Sequence, residues 1–145
     1  MPESNNDSIN LSNSLDIFGT GSTSVSGRIG DGLYGSSTGA YDFYSLFADS
    51  ESAITIDVNS ANLFQNSVDT VVTLYDSTGT LVASNDDSSS LDSFLHYDVQ
   101  SSGDYYIAVH GFGSGDANDP FTAGTGGGVG DTGFYSMNID VSSIF

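Results

Sequence analysis

The chain is 145 residues long and carries nineteen acidic side chains against one base, Arg28, for a net charge of −18. A field of that sign repels phosphate backbones and anionic headgroups, so nucleic acid and acidic membranes drop out as partners. The absence of cysteine excludes disulfides, thiol catalysis and thiolate zinc sites, while 37% apolar and 12% aromatic residues supply one domain with a real hydrophobic core.

All the acids except Glu3 and Glu51 are Asp. Glu decorates helix surfaces, whereas Asp favours turns, caps and oxygen-ligand loops, so the bias already points away from helices. No apolar run approaches the length that crosses a membrane as a helix. Met1-Pro2-Glu3 opens no signal peptide and reads as the cut end of a piece of a longer polypeptide, with any export signal lying elsewhere.

In chain order, residues 1–24 are Ser/Asn-rich with scattered apolar positions and read as a polar arm or linker, from which Ile17 and Phe18 are free to dock on the domain that follows. Residues 25–145 form the single domain, and period-2 alternation dominates it. AITIDV (53–58) sets Ile54, Ile56 and Val58 against Ala53, Thr55 and Asp57. LHYDV (95–99) sets Leu95, Tyr97 and Val99 against His96 and Asp98, and FYSMNIDV (134–141) sets Tyr135, Met137, Ile139 and Val141 against Phe134, Ser136, Asn138 and Asp140. Similar runs are VSGRI (25–29), DFYSLFA (42–48), TVVTLYD (70–76), TLVAS (80–84) and YYIAVHGF (105–112). About eight short strands punctuated by Gly, Asn, Asp and Ser predict an all-β, antiparallel, jelly-roll-like sandwich, with room for one helical turn over 59–67.

One hairpin is legible in detail. Asp76-Ser77-Thr78-Gly79 reads as a type I turn with Gly at the left-handed position, which pairs strand 70–76 with the strand that follows. If Asp76 faces Thr80, Asp69 lies opposite Asp87; a one-residue slip puts it opposite Asp86. Carboxylates then converge at the open end of the hairpin, with Asn85 and Asp92 a loop's reach away. Two carboxylates about 4 Å apart repel by about 1 kcal/mol in bulk water and about 4 kcal/mol at an effective dielectric near 20. Either the side chains splay into water, as in salt-adapted acidic loops, or a cation sits between them. Asp and Asn oxygens with neighbouring hydroxyls and carbonyls suit a hard ion with six to eight oxygen ligands, which is Ca²⁺ rather than zinc. A second candidate is Asp116, Asn118 and Asp119, in a loop that Pro120 closes without EF-hand spacing; a plain polar loop is its alternative.

The runs YDFYSLFA, AITIDV, VDTVVTLYDSTGTLVASNDD, LDSFLHYDV, SGDYYIAVHGF and TGFYSMNIDV resemble, in order, the bacterial pre-peptidase C-terminal domain family. The resemblance spans residues 41–112 and 133–141. It implies a jelly-roll-like sandwich serving as an accessory module of secreted proteases and giant surface proteins, often with bound Ca²⁺, and places Asp69, Asn85, Asp86, Asp87 and Asp92 at the family's acidic positions. The insertion 113–133, the acidity and the fragment-like ends are most similar to the calcium-dependent peptide-binding domains of RTX adhesins. That branch implies capture of an extended peptide whose C-terminal carboxylate is drawn to calcium.

Three function classes follow. Catalysis has little support: there is no GxSxG elbow, adjacent Asp86 and Asp87 cannot flank a glycosidic bond, and TAGTGGGVG lacks the Lys and helix of a phosphate loop. His96 and His110 lie on strands, where a Ser-His-Asp arrangement is the one to test. A binding module is the reading chosen. Gly126, Gly127 and Gly128 offer bare backbone for strand addition, Asp131 follows them, and Phe112, Phe121 and Tyr34 are apolar contacts unless they pack inward. The partner is then a peptide or protein on a target cell surface, with a glycan as rival, and the module is an extracellular monomeric unit of a larger bacterial surface protein. A spacer that holds only calcium is the third class.

Overall fold

A computed structural model of the chain describes residues 12–29, 41–60, 70–85, 93–111 and 133–144. Nine strands run through them: β1 (Asn13–Gly19), β2 (Gly21–Ile29), β3 (Tyr41–Ala48), β4 (Ser52–Ser60), β5 (Thr70–Tyr75), β6 (Leu81–Asn85), β7 (Ser93–Asp98), β8 (Gly103–Gly111) and β9 (Gly133–Ser143). They form a five-stranded sheet, β1-β3-β8-β5-β6, and a four-stranded sheet, β2-β9-β4-β7. With β1 set aside, the two sheets have the strand order of an eight-stranded jelly roll, as the alternating runs predict. Every predicted run is a strand. The helical turn over 59–67 is corrected at its start, because Asn59 and Ser60 extend β4 and pair with β9; the rest of that span lies outside the described residues.

The period-2 faces fall as expected. Ile54, Ile56 and Val58 are fully buried, facing Met137, Ile139 and Val141 of the same sheet and Val72, Leu74, Ile107 and Val109 of the other. Burying each such side chain contributes about 1.5–3 kcal/mol, so this interior holds the sheets face to face.

The sandwich begins earlier than the sequence suggested. Residues 13–24, read as part of an arm, form β1 and the first half of β2. The Ser/Asn content masked a short alternation: Leu15 and Ile17 are 5% and 3% exposed in the core, whereas Phe18 is 77% exposed and does not dock inward. The strand also breaks the antiparallel rule. β1 pairs parallel to β3, with a register irregularity between Ser14 and Phe18. Asp16 sits there at φ 58, a left-handed conformation that Asp tolerates through local side-chain bonding; its N–H donates to Ser14 Oγ at 3.1 Å.

The hairpin turn is as read. Gly79 lies at φ 80, its N–H donates to the Asp76 carbonyl at 3.0 Å, and Asp76 N–H donates to the Thr80 carbonyl at 2.9 Å. Asp76 Oδ1 accepts from Thr78 Oγ1 at 2.7 Å and from the N–H groups of Thr78 and Thr80 at 2.9 and 3.1 Å. The Thr78 hydroxyl, with these amides, holds the carboxyl below its usual value despite partial desolvation. The register beyond the turn is corrected. Tyr75 opposes Leu81, but a bulge follows, so Leu74 opposes Ala83 and Val72 opposes Asn85. The unbroken ladder that set Asp69 against Asp87 required Asn85 opposite Val71, and a one-residue bulge exchanges the faces of everything beyond it.

One polar device crosses the interior. Asp42 shares the inward face of β3 with Tyr44 and Leu46 and is fully buried. Its Oδ2 accepts from the Tyr135 hydroxyl at 2.8 Å, and that hydroxyl lies 2.7 Å from the hydroxyl of Tyr44. Gly27 on β2 makes room: a Cβ there would lie 2.4 Å from Tyr135 Oη and 2.9 Å from Tyr44 Oη, whereas a Cβ on Gly103 meets nothing within 4 Å. Gly27→Ala is therefore expected to lower unfolding free energy by about 1–3 kcal/mol through overpacking and a displaced buried hydrogen bond, with Gly103→Ala near neutral; urea titration of both variants checks the contrast.

Candidate functional site

Strand ends sort the connections into two classes. Ile29 pairs with Gly133, Tyr41 with His110, Thr70 with Gly111, Ser60 with Tyr135 and Val58 with Ser93. These pairs share one end of the sandwich, and the segments 30–40, 61–69, 86–92 and 112–132 all leave and rejoin the strands there. Tight links close the opposite end: Thr20, Asp49 to Glu51, Asp76 to Thr80 and Val99 to Ser102.

At the first end two buried hydroxyls join the sheets. Ser93 Oγ donates to the Thr70 carbonyl at 2.6 Å and lies 2.7 Å from Thr70 Oγ1. Both residues are 0% exposed. Since the Ser93 proton is used on the carbonyl, Thr70 Oγ1 is the donor between the hydroxyls. A second tie lies beside it: the Asn85 amide N–H donates to the Phe94 carbonyl, linking edge strand β6 to edge strand β7. That bond commits the Asn85 nitrogen and leaves Oδ1 as the atom suited to a cation or ligand donor.

Asn85 is therefore the one expected metal ligand that the structure describes, an exposed residue at the end of β6. Asp69, Asp86, Asp87, Asp92, Asp116 and Asn118 lie outside the described residues, as do Asp119, Phe112, Phe121, Tyr34, Gly126, Gly127, Gly128 and Asp131. Asp69 and Asp92 are each one peptide link from a member of the Thr70–Ser93 pair. Among the described residues no three His, Asp or Glu side chains group as a metal site. Sequence reasoning missed Asp42, Thr70 and Ser93. Parity was the available signal, because Asp42 alternates with Tyr44 and Leu46, Thr70 with Val72 and Leu74, and Ser93 with Leu95.

The histidines differ sharply. His110 is buried, at 1% exposure. His96 is exposed, with Nδ1 3.3 Å from Thr55 Oγ1 and Nε2 3.0 Å from Asp98 Oδ1. Hydroxyl, imidazole and carboxylate thus stand in the order of a nucleophilic triad. Thr55, however, lies on β4, which pairs with β9 on one side and β7 on the other. The ladders on both sides occupy the backbone N–H groups around it, so the backbone of β4 supplies no donor for an oxyanion.

No family model and no curated protein matches the chain. Several solved structures share its fold. The pre-peptidase C-terminal domain of a collagenase from Bacillus anthracis aligns with a TM-score of 0.52 at 14% identity, covering 90% of this chain and 94% of that domain. A periplasmic inhibitor of g-type lysozyme from Aeromonas hydrophila aligns with a TM-score of 0.52 at 12% identity, covering 90% of this chain and 96% of its own. The fold is that of a pre-peptidase C-terminal domain, and neither neighbour is a catalytic domain.

Ser93→Ala strips Thr70 Oγ1 of its partner in a dry site and is expected to cost about 1–3 kcal/mol, whereas Thr70→Val leaves the Ser93–carbonyl bond in place and costs about 1 kcal/mol; chemical denaturation measures the order. The buried phenol makes a pH prediction. Desolvation, then the Asp42 charge and the Tyr44 phenol, hold the Tyr135 proton on well above the usual value of 10.0. A folded-state pKa raised in this way contributes stability that is complete below pH 10 and declines as pH rises through the folded value. Tyr135→Phe is expected to be less stable at pH 7 yet to lose less between neutral and strongly alkaline pH; the slope it keeps comes in part from Tyr97 and Tyr106, also raised by burial. Melting curves from pH 7 upward test this.

Proposed function

We propose that the chain is a calcium-dependent ligand-binding module of a large secreted or surface bacterial protein, recognising an extended peptide or protein C-terminus. The observation that carries this reading is the buried Thr70–Ser93 bond, which ties together the chain immediately next to Asp69 and Asp92. Strands of different sheets that lead into two acidic segments are thereby joined, and Asn85 ends the edge strand paired with β5. Calcium would supply a positive centre there, reversing the sign of the local field, and so let a chain of net charge −18 attract a carboxylate. Asp69, Asn85, Asp86, Asp87 and Asp92 would hold the ion, with Asp116 and Asn118 as a second set. The glycines 126–128, Asp131, Phe112 and Phe121 would meet the peptide.

Likeness to a collagenase domain favours a second reading, an accessory or spacer domain of a secreted protease that needs calcium only for stability. The periplasmic neighbour fits placement of either kind of module outside the cytoplasm.

With free calcium 100-fold above Kd, one native-state site adds about 2.7 kcal/mol, and each kcal/mol moves the melting temperature of a domain this size by about 2–4 °C. Asp86→Ala and Asp87→Ala are expected to lose that increment in calcium while melting like the wild type in chelator. Equal losses under both conditions would overturn the metal site. A peptide array then separates the readings, since a peptide reader gives hits that vanish with chelator, whereas a spacer gives none.

A further inference from the structure

The outward face of the four-stranded sheet arranges its side chains in cross-strand rows. Ser24, Asn138, Asp57 and Phe94 are consecutive partners across β2, β9, β4 and β7, and Ser22, Asp140, Thr55 and His96 form the next row. An open groove of about 390 Å³ lies over them, lined among others by Ser24, Asp57, Phe94, Asn138 and Asp140. Thr55 and Asp57 are half-buried on its floor, while Ser24, Asn138 and Phe94 stand exposed along it. At a strand spacing of about 4.8 Å, four positions span about 14 Å.

The chemistry along this row is ordered. Ser24 Oγ donates to Asn138 Oδ1 at 2.6 Å, which uses the acceptor of that amide and leaves its N–H groups as donors. Asp57 is an acceptor only. Phe94 presents a ring at 41% exposure, and its backbone carbonyl is held by Asn85 from the other sheet, so the platform sits on a tethered edge. Donor, acceptor and apolar surface thus follow one another at regular steps. Neither row contains lysine or arginine, and Asp57, Asp140 and the neighbouring Asp98 set a negative potential that disfavours sulfated, phosphorylated or uronate-bearing ligands. A neutral sugar matches on every count, because its vicinal hydroxyls donate to a carboxylate, accept from an amide and leave a C–H face for an aromatic ring.

We propose that this face is a second binding site, independent of calcium and of the loop end, for a neutral oligosaccharide laid across the strands. Asp57 accepts from adjacent hydroxyls, Asn138 donates to a ring or hydroxyl oxygen, and Phe94 stacks on a pyranose face.

The test is affinity electrophoresis of the full chain in chelator through gels containing neutral glucan, mannan, galactan or xylan, with polylysine and a sulfated glycan as charge controls. At least one neutral glycan is expected to retard the wild type equally with and without calcium. Asp57→Ala is expected to weaken retardation at least tenfold and Phe94→Ala severalfold, while Asp86→Ala leaves it unchanged. Phe94 is exposed, so its variant remains informative should Asp57→Ala fold poorly. Retardation by none of the neutral glycans, retention only on polylysine, loss in chelator, or full binding by Asp57→Ala and Phe94→Ala overturns the proposal. A chelator-sensitive result assigns the sugar to the loop end instead, so the two sites stand or fall separately.

Discussion

The direction of the chain constrains everything else in this molecule. In a jelly roll successive strands run in opposite senses, and here they also change sheet at every step except the β5–β6 hairpin. Connections therefore alternate between the two ends, with the short links at one and the longer segments at the other. The closed end shows how tight the short set is. Glu51 turns at φ 66, Val99 N–H donates to the Ser52 carbonyl at 2.8 Å, and Ile144 N–H donates to the Glu51 carbonyl at 3.0 Å. The four connecting segments outside the described residues attach to the opposite end. Length and composition can vary there without disturbing a ladder, which is where a rigid scaffold hosts recognition.

Both ends are acidic, the closed one through Asp49, Glu51 and Asp76. Asp31, Asp69, Asp86, Asp87, Asp92, Asp116, Asp119 and Asp131 all belong to those four segments, and no lysine or arginine does. Three of the polar residues that the strands bury nearby are tied by internal bonds: Asp42 to Tyr135, and Thr70 and Ser93 to each other. A buried polar group without a partner costs about 1–3 kcal/mol, so these pairs fix how the sheets meet at the mouth. The Asn85 amide adds a tie between edge strands. A site built on such anchors starts with part of its ordering entropy already lost in folding, which favours binding over association through loose loops.

The fold was legible wherever one face of a strand is apolar and the other polar. β4, β7 and β9 alternate cleanly, and each residue read as inward is buried or half-buried. The turn at Asp76 to Gly79 was legible because its residues carry the turn chemistry themselves. Two features escaped, both for local reasons. β1 depends on two core residues separated by a left-handed Asp16, too little signal against a Ser/Asn background. The bulge after Tyr75 inserts Val82, and nothing in TLVAS distinguishes a strand with an extra residue from one without. Of the candidate site, the ligands expected from sequence chemistry lie outside the described residues except for Asn85, and the strand-end groups beside them were missed. Thr70 and Ser93 look like ordinary turn-flanking residues until the sheets are brought together, because their partnership spans two strands distant in the chain.

The sheet architecture also bears on what kind of work this protein does. Acyl transfer needs hydrogen-bond donors left over to receive developing charge, and the inner strands of the described sandwich use their backbone donors in ladders. Thr55, His96 and Asp98 illustrate the point: the side chains line up, but β4 has neighbours on both sides and its backbone N–H groups are taken up in the ladders. The same saturation makes a sheet face a good template for binding. Its side chains are held in fixed rows at strand spacing, so a ligand meets preordered donors, acceptors and apolar surface without reorganising the backbone. Loop end and sheet face are thus complementary products of one topology. The loop end receives the four segments that carry eight of the Asp residues, and the face presents Ser, Thr, Asn, Asp and Phe side chains in rows held by the ladders beneath them.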